Sequence, residues 1–273
     1  MAIGGGNIYH AQFGKFFFLL ILSTVFQVIS LSLGQLKTPN NRPIIGVLSQ
    51  EITNPLVKNK YSNYTSYIAA SYVKFLEGAG ARVVPIRINL SDDYYENIVN
   101  SVNGVLFPGG GINLEDSGYG YLESRLFRNA PDDIVHLLRN KPMTANFHKF
   151  CVTEKSFVSS GLNEQFKILA LSNDFKNESF ISAMEAKDFP FYGVQFHPEK
   201  NSYEWNTNLH GIPHSAEATR VGQYFGEFFV NEARKNGHSF SSPEVEAQSL
   251  IYNYQAFPTA SVDSSFEQCY FFK

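Results

Sequence analysis

Cysteine is scarce in this sequence: the 273 residues include only Cys151 and Cys269. Two cysteines form one disulfide at most, which excludes the disulfide-dense class of secreted scaffolds and leaves open whether the two are bonded or free. Charge is also sparse and nearly balanced, with 17% charged residues and a formal net charge of -3. This balance gives no electrostatic basis for binding nucleic acid or an anionic membrane, so we expect a small-molecule partner.

Long apolar runs are absent except near the start of the chain. Lys15 precedes an apolar stretch over residues 16–31, and the small residues Ser32 and Gly34 follow it. Polar residues interrupt the stretch and it is short for a bilayer span, so it predicts a cleaved signal peptide over residues 1–34, with an uncleaved anchor as the alternative. We expect no membrane attachment after cleavage.

Three Asn-x-Ser/Thr sequons lie downstream of this leader, at Asn63, Asn89 and Asn177. Each sequon alone is a weak signal, because short motifs occur by chance. Together with the leader, they predict a glycosylated protein that is lumenal or secreted.

Residues 35–273 predict one α/β domain. Short apolar runs predict strands, and apolar residues at helical spacing predict helices. The predicted strands cover residues 44–49, 82–86, 104–108, 166–173, 180–186 and 191–196, and the predicted helices cover residues 64–80, 92–102 and 216–234. The alternation at the start of the domain, without hairpin signals, predicts a doubly wound, mostly parallel sheet, whose ligands bind beyond the carboxyl ends of the strands.

The segment around His197 is the clearest candidate site. Residues 191–196 predict a buried strand, and Pro198 ends it because proline cannot donate a ladder hydrogen bond. This places an imidazole at the end of a strand, with Glu199 near enough to hold its tautomer. The alternative is an ordinary strand-end histidine paired with a surface glutamate. His148, downstream of the third strand, is a second histidine that would usually be structural.

Gly109, Gly110 and Gly111 follow the third predicted strand. Glycines let the backbone turn sharply and present N–H groups, which could stabilise an oxyanion. A plain flexible loop is the alternative.

Several segments together closely resemble the γ-glutamyl hydrolases, a branch of the class I glutamine amidotransferase-like superfamily (peptidase family C26). The most specific is Gly-Val-Gln-Phe-His-Pro-Glu at residues 193–199, and the resemblance also covers residues 67–74, 80–86, 102–110, 144–149 and 227–235. It implies that His197 is the catalytic base, that Glu199 orients it, that His148 lines the site, and that the backbone at Gly109 and Gly110 helps to form the oxyanion hole.

The resemblance further implies a substrate class and a location. Members of this family cleave γ-glutamyl bonds of folyl and antifolyl poly-γ-glutamates, need no metal or organic cofactor, and are secreted or lysosomal. The substrate implied for this chain is therefore a poly-γ-glutamyl folate. A homodimer remains open.

One part of the family pattern is missing from the sequence. The family places a Gly-Thr-Cys-Leu-Gly turn, which exposes the cysteine nucleophile, on a strand after the Pro-Gly-Gly segment. Here residues 111–121 run almost directly into residues 123–129, so several tens of residues, including a central strand-helix unit, are absent near 121–123. Cys151 is a possible substitute nucleophile, but neither it nor Cys269 is flanked by the glycines that such a turn requires.

Two hypotheses follow. The chain is a γ-glutamyl hydrolase-type cysteine peptidase in a shortened form, with activity that is low or absent. Alternatively, it is a non-catalytic protein that binds folate or glutamate without cleaving it.

Overall fold

The computed structural model describes residues 39–109, 117–119, 124–148, 150–262 and 264–273. The predicted signal peptide, Gly110 and the junction at residues 121–123 lie outside these ranges. Among the described residues, no helix is both long and apolar enough to cross a membrane.

The amino-terminal half forms a three-stranded parallel sheet. Its strands are β1 (Ile44–Leu48), β4 (Arg82–Ile86) and β5 (Gly104–Leu106), arranged in the order β4-β1-β5. Helices α2 (Ala70–Gly78) and α3 (Asp92–Ser101) lie between these strands along the chain. The predicted α/β class with a parallel sheet is confirmed, because parallel neighbours need such helical crossovers and the sequence supplies them.

A second sheet is antiparallel and joins distant parts of the chain. It consists of β2 (Gln50–Glu51), β3 (Ser66–Ala69), β10 (Ala256–Pro258) and β11 (Gln268–Phe272), in the order β10-β11-β3-β2. The prediction of one helix over residues 64–80 was therefore wrong at its start, because residues 66–69 pair with the last strand of the chain. Helix α2 ends at Gly78, two residues before the predicted end, and Gly80 follows it at φ +89°, a conformation that glycine adopts without strain.

A third sheet, also antiparallel, contains β6 (Ser117–Tyr119), β7 (Phe166–Asn173), β8 (Ser179–Ala186) and β9 (Tyr192–Val194), in that order. The predicted buried strand at residues 191–196 was wrong in burial and in length. Strand β9 is the last strand of this sheet, pairs only with β8 among the described strands, and leaves Val194 36% exposed. An end strand has one free edge, which explains its exposure.

Helix α9 (Ala216–Ala233) organises the core, as its apolar stripe predicted. Ser215 caps its first turn by accepting a hydrogen bond from the N–H of Ala218. The helix packs against α2, α5 (Asp132–Asn140) and α8 (Lys200–Tyr203). Phe225, on its buried face, meets the rings of Phe127 and Phe196 edge-on. The other helices are α1 (Pro55–Lys60), α4 (Arg125–Arg128), α6 (Glu154–Ser159), α7 (Leu162–Gln165) and α10 (Pro243–Ser249), with 3₁₀ turns at Ile251–Asn253 and Ala260–Val262.

The parallel sheet has an open side at β5. Among the described strands, β5 pairs with β1 and with no other. Phe107, just beyond β5, is 58% exposed. A large apolar side chain beside an unpaired strand edge is what the loss of a central neighbouring strand would leave behind.

Candidate active site

His197 is held by backbone contacts on both sides of the chain. Its N–H donates to the carbonyl oxygen of Ala145 (2.8 Å), which forms an isolated antiparallel bridge. On the other side, Gly222 of α9 approaches so closely that an added methyl group would lie 2.6 Å from the carbonyl oxygen of Pro198. The His-Pro-Glu turn is therefore fixed between the 143–148 segment and α9.

Glu199 lies against the imidazole of His197. Its Oε1 is 2.8 Å from Nδ1 of His197, and both side chains are buried. Burial alone would raise the pKa of Glu199, but the adjacent His197, its hydrogen bond and the charge of Lys200 outweigh burial and lower that pKa. An ionised carboxylate can only accept hydrogen bonds, so Nδ1 of His197 carries a hydrogen. Nε2 faces the other way and lies 3.4 Å from the carbonyl oxygen of Phe147.

The backbone of Gly109 faces the same imidazole. A methyl group added at Gly109 would lie 3.6 Å from Cε1 of His197. The hydroxyl of Tyr72 donates to the carbonyl oxygen of Gly109 (3.4 Å) and lies 3.3 Å from Nδ1 of His197. The structure thus brings Gly109, His197 and Glu199 together, whereas Gly110 lies outside the described residues.

His148 is buried nearby and stays neutral at pH 7. Burial and, to a smaller extent, the charge of His197 lower the pKa of His148 to about 4. Its Nε2 lies 3.4 Å from Oδ1 of Asn146, and its Nδ1 has no hydrogen-bond partner in the described part of the chain. The amide oxygen of Asn146 can only accept, so Nε2 carries the single hydrogen of the neutral ring and Nδ1 can only accept a hydrogen bond.

Two further charged side chains are buried after Glu199. The ammonium group of Lys200 lies over the ring of Phe266, 4.5 Å from its centroid. Glu204 accepts a hydrogen bond from the N–H of Glu267 (2.7 Å). Burial nevertheless raises the pKa of Glu204 above its usual value.

Neither cysteine is arranged as a nucleophile. Both are free thiols, so the disulfide alternative is excluded. Cys269 is buried in β11, and burial raises its pKa to about 12. Cys151 is exposed. Its pKa is also raised, first by desolvation and then by Asp174 and Glu178. A nucleophilic thiol needs a lowered pKa, so these environments oppose that role.

The described residues contain no group of three or more His, Cys, Asp or Glu side chains placed to hold a metal ion. The three sequon asparagines are all exposed. Asn63 lies in the turn after α1, Asn89 lies between β4 and α3, and Asn177 lies in the turn between β7 and β8.

Comparison with known proteins identifies the family. A peptidase C26 model matches residues 43–133, and a class-I glutamine amidotransferase model matches residues 109–210. γ-Glutamyl hydrolase of Homo sapiens is 40% identical over 291 aligned positions, covering 85% of this chain and 90% of that protein. γ-Glutamyl hydrolase B of Dictyostelium discoideum is 32% identical over 322 positions, covering 95% and 89%. The chain belongs to the γ-glutamyl hydrolase family.

The alignment lengths also bear on the missing segment. The 291 positions aligned with the human relative use 85% of 273 residues, about 232, so about 59 positions lie opposite gaps in this chain. The same arithmetic for the Dictyostelium relative uses about 259 residues and leaves about 63 such positions out of 322. Gaps of this size agree with a loss of several tens of residues from this chain.

Tyr72 is the site residue that sequence reasoning missed. It lies within the helix predicted over residues 64–80 from its apolar spacing, and it packs in the core. A signal was available, because a buried tyrosine needs a hydrogen-bond partner for its hydroxyl where a phenylalanine does not. That partner lies in Gly109, which is 37 residues away, so the chain order could not reveal it.

Proposed function

We propose that the site of this chain derives from one that cleaves γ-glutamyl bonds of folyl and antifolyl poly-γ-glutamates, and that the chain as it stands cleaves them slowly or not at all. The observation that carries the first part is the buried His197–Glu199 pair facing the backbone of Gly109, in a chain of the γ-glutamyl hydrolase family. The second part rests on the environments of Cys151 and Cys269.

The chemistry proposed for the intact site is acyl transfer through a cysteine. The thiol gives its proton to Nε2 of His197, and the resulting thiolate attacks the γ-carbonyl carbon. N–H groups of the Gly109–Gly110 loop stabilise the oxyanion that forms. His197 is the acid and base: it gives a proton from Nε2 to the leaving amine as the C–N bond breaks. A water molecule then gives a proton to His197 and attacks the thioester, which releases the carboxylic acid and the thiolate. Glu199 holds the imidazole in the tautomer that this sequence needs.

Without the thiol, the covalent step has no nucleophile. The residues of such a catalytic unit contribute non-additively to the rate. Removal of one of them therefore lowers kcat about as much as removal of several. The rate that remains would come from substrate binding and oxyanion stabilisation. We therefore propose that the base and its orienting carboxylate persist in a chain that has lost most of its turnover.

The second candidate function is binding without cleavage. The observation in its favour is that the His197–Glu199 pair and the backbone of Gly109 are still brought together, with the buried His148 nearby, without the thiol. Calorimetry would show binding of a γ-glutamyl folate, and chromatography of the same sample would show no product. Absence of both binding and cooperative unfolding would exclude this function.

The test of the first proposal compares two versions of the full chain, produced through a eukaryotic secretory pathway. One is the chain as written, and the other carries the family's Gly-x-Cys-x-Gly segment inserted after Tyr121. Both are assayed on a poly-γ-glutamyl substrate. We expect turnover by the restored chain only, and equal turnover by the two would overturn the impairment. Sequencing the locus would show whether an exon between the codons for Tyr121 and Glu123 encodes the segment.

The same proposal covers location and assembly. A signal peptide at residues 1–34 and the glycosylated sequons would send the protein to the lysosome or the extracellular space, where its partner would be a small polyglutamate. We propose that the protein is not attached to a membrane after cleavage and that it does not bind nucleic acid. Homodimerisation is open to measurement by analytical ultracentrifugation.

A further inference from the structure

Tyr72 joins the two halves of the candidate active site. It is the third residue of α2, and its side chain is buried. Its hydroxyl oxygen lies 3.3 Å from Nδ1 of His197 and 3.4 Å from the carbonyl oxygen of Gly109. One side chain therefore contacts both the candidate base and the loop expected to stabilise the oxyanion.

The directions of these contacts can be assigned. Nδ1 of His197 carries a hydrogen, because its nearer partner is the carboxylate of Glu199 at 2.8 Å. Towards that N–H the Tyr72 oxygen can only accept, so the hydroxyl hydrogen points to an acceptor, either the carbonyl oxygen of Gly109 (3.4 Å) or the carboxylate of Glu199. Burial raises the pKa of Tyr72 well above its usual value, and the charge of Glu199 raises it further. The hydroxyl therefore keeps its hydrogen at any physiological pH.

We propose that Tyr72 is a positioning residue that fixes the Gly109 backbone relative to the imidazole of His197. The catalytic consequence rests on the proposed function, since it matters only if His197 and the glycine loop act on one carbonyl group. In that reaction the base and the oxyanion donors must hold one geometry, and small displacements are costly. The positioning itself is a property of the chain as it stands.

Tyr61 supplies a matched control for Tyr72. It is also a buried tyrosine of the core, and its hydroxyl donates to a backbone carbonyl, that of Pro258 (3.0 Å). No site residue lies within hydrogen-bond distance of that hydroxyl in the described chain. Tyr61→Phe and Tyr72→Phe thus remove the same group from similar surroundings, and they differ in whether the hydroxyl faces the site.

The first experiment needs no activity. In the full chain labelled with ¹⁵N-histidine, the Nδ1–H proton of His197 should show a nuclear Overhauser contact to the hydroxyl proton of Tyr72. Tyr72→Phe should shift the Nδ1–H resonance, and Tyr61→Phe should leave it unchanged. The contact is measured in the unmutated chain, so the proposal stays testable if a variant fails to fold. No contact, or equal shifts in both variants, would overturn it.

The second experiment uses the chain with the nucleophile segment restored. Tyr72→Phe should lower kcat by about 10- to 100-fold. KM should change by less than about twofold, because the hydroxyl does not contact the substrate. Tyr61→Phe should change neither. An unaltered kcat in Tyr72→Phe would overturn the proposal, whereas an inactive restored chain with Tyr72 intact would count against the proposed function instead.

Discussion

The Nδ1 atom of His197 lies 2.8 Å from Oε1 of Glu199, with both side chains buried. Glu204, five residues later, is buried to the same degree but accepts its hydrogen bond from the neutral backbone of Glu267. The pKa of Glu199 is lowered and that of Glu204 is raised. The two carboxyl groups should therefore affect stability with opposite dependence on pH.

Glu199→Gln should destabilise the protein more at neutral pH than in acid. A lowered folded-state pKa means that the carboxylate contributes stability above its unfolded pKa, about 4.3. That contribution is lost as pH falls through the folded pKa. Hydrogen bonds to charged groups contribute about 1.5–3 kcal/mol, which is the loss expected at pH 7. Urea unfolding at pH 7 and at stepwise lower pH measures it, and a loss independent of pH would contradict the prediction.

Glu204→Gln should show the opposite trend. A raised folded-state pKa means that the stability linked to the carboxyl group is present below the unfolded pKa and is lost as pH rises through the folded pKa. Glutamine cannot ionise, and its carbonyl oxygen can still accept from Glu267. Relative to the unmutated chain, the variant should therefore become more stable between pH 4 and pH 7. Urea unfolding over the same pH series measures both variants. If the free energy of unfolding changed with pH in the same direction for Glu199→Gln and Glu204→Gln, the opposite pKa shifts of the two carboxyl groups would be ruled out.

Gly222→Ala should disturb the His-Pro-Glu turn. The added methyl group would lie 2.6 Å from the carbonyl oxygen of Pro198, which is backbone and cannot rotate away. Overpacking of this kind costs about 1–3 kcal/mol. Gly226→Ala is the matched control on the same helix, because its nearest neighbours are ring atoms of Phe75 at 3.0 Å or more, which can shift. Thermal unfolding should show the larger loss for Gly222→Ala, and equal losses would contradict the close approach.

Cys151→Ser should leave any hydrolysis by the restored chain unchanged. The thiol of Cys151 has a raised pKa, and its charged neighbours are the carboxylates Asp174 and Glu178, which disfavour a thiolate. The measurement is kcat/KM for the restored chain with and without the substitution. The same substitution is also tested in the unrestored chain. If that chain hydrolyses the substrate and Cys151→Ser abolishes the hydrolysis, Cys151 is the nucleophile and the prediction is wrong.

The exposed sequons should carry glycans after secretion. Asn89 and Asn177 adopt positive φ angles of 61° and 64°, so Asn→Asp is the suitable substitution because aspartate tolerates this backbone conformation. Endoglycosidase treatment should lower the apparent mass of the secreted chain. Asn→Asp at Asn63, Asn89 and Asn177 together should remove that change, and an unmutated chain that does not respond would argue against the secretory route.

Most regular elements could be predicted where local periodicity and packing agree. Strand β4 was predicted with its observed bounds, and α9 within one residue of its observed end. Residues 66–69 were misassigned because their spacing also fits a helix, and pairing with β11 about 200 residues later decides between the two. The burial of β9 was misjudged because its apolar composition does not reveal which strands pair with it.

The sequence by itself determined the family, the near-balanced charge, the absence of a glycine-flanked cysteine and the adjacency of His197 and Glu199, because each depends on residue identity or on positions close along the chain. Tertiary structure alone decided that Tyr72 reaches both His197 and Gly109, that His148 is neutral, and that Glu199 and Glu204 shift in opposite directions. These properties depend on desolvation and on contacts and charges contributed by segments that are distant along the chain. The spacing of residues in the sequence does not show which segments come together, so it could not predict them.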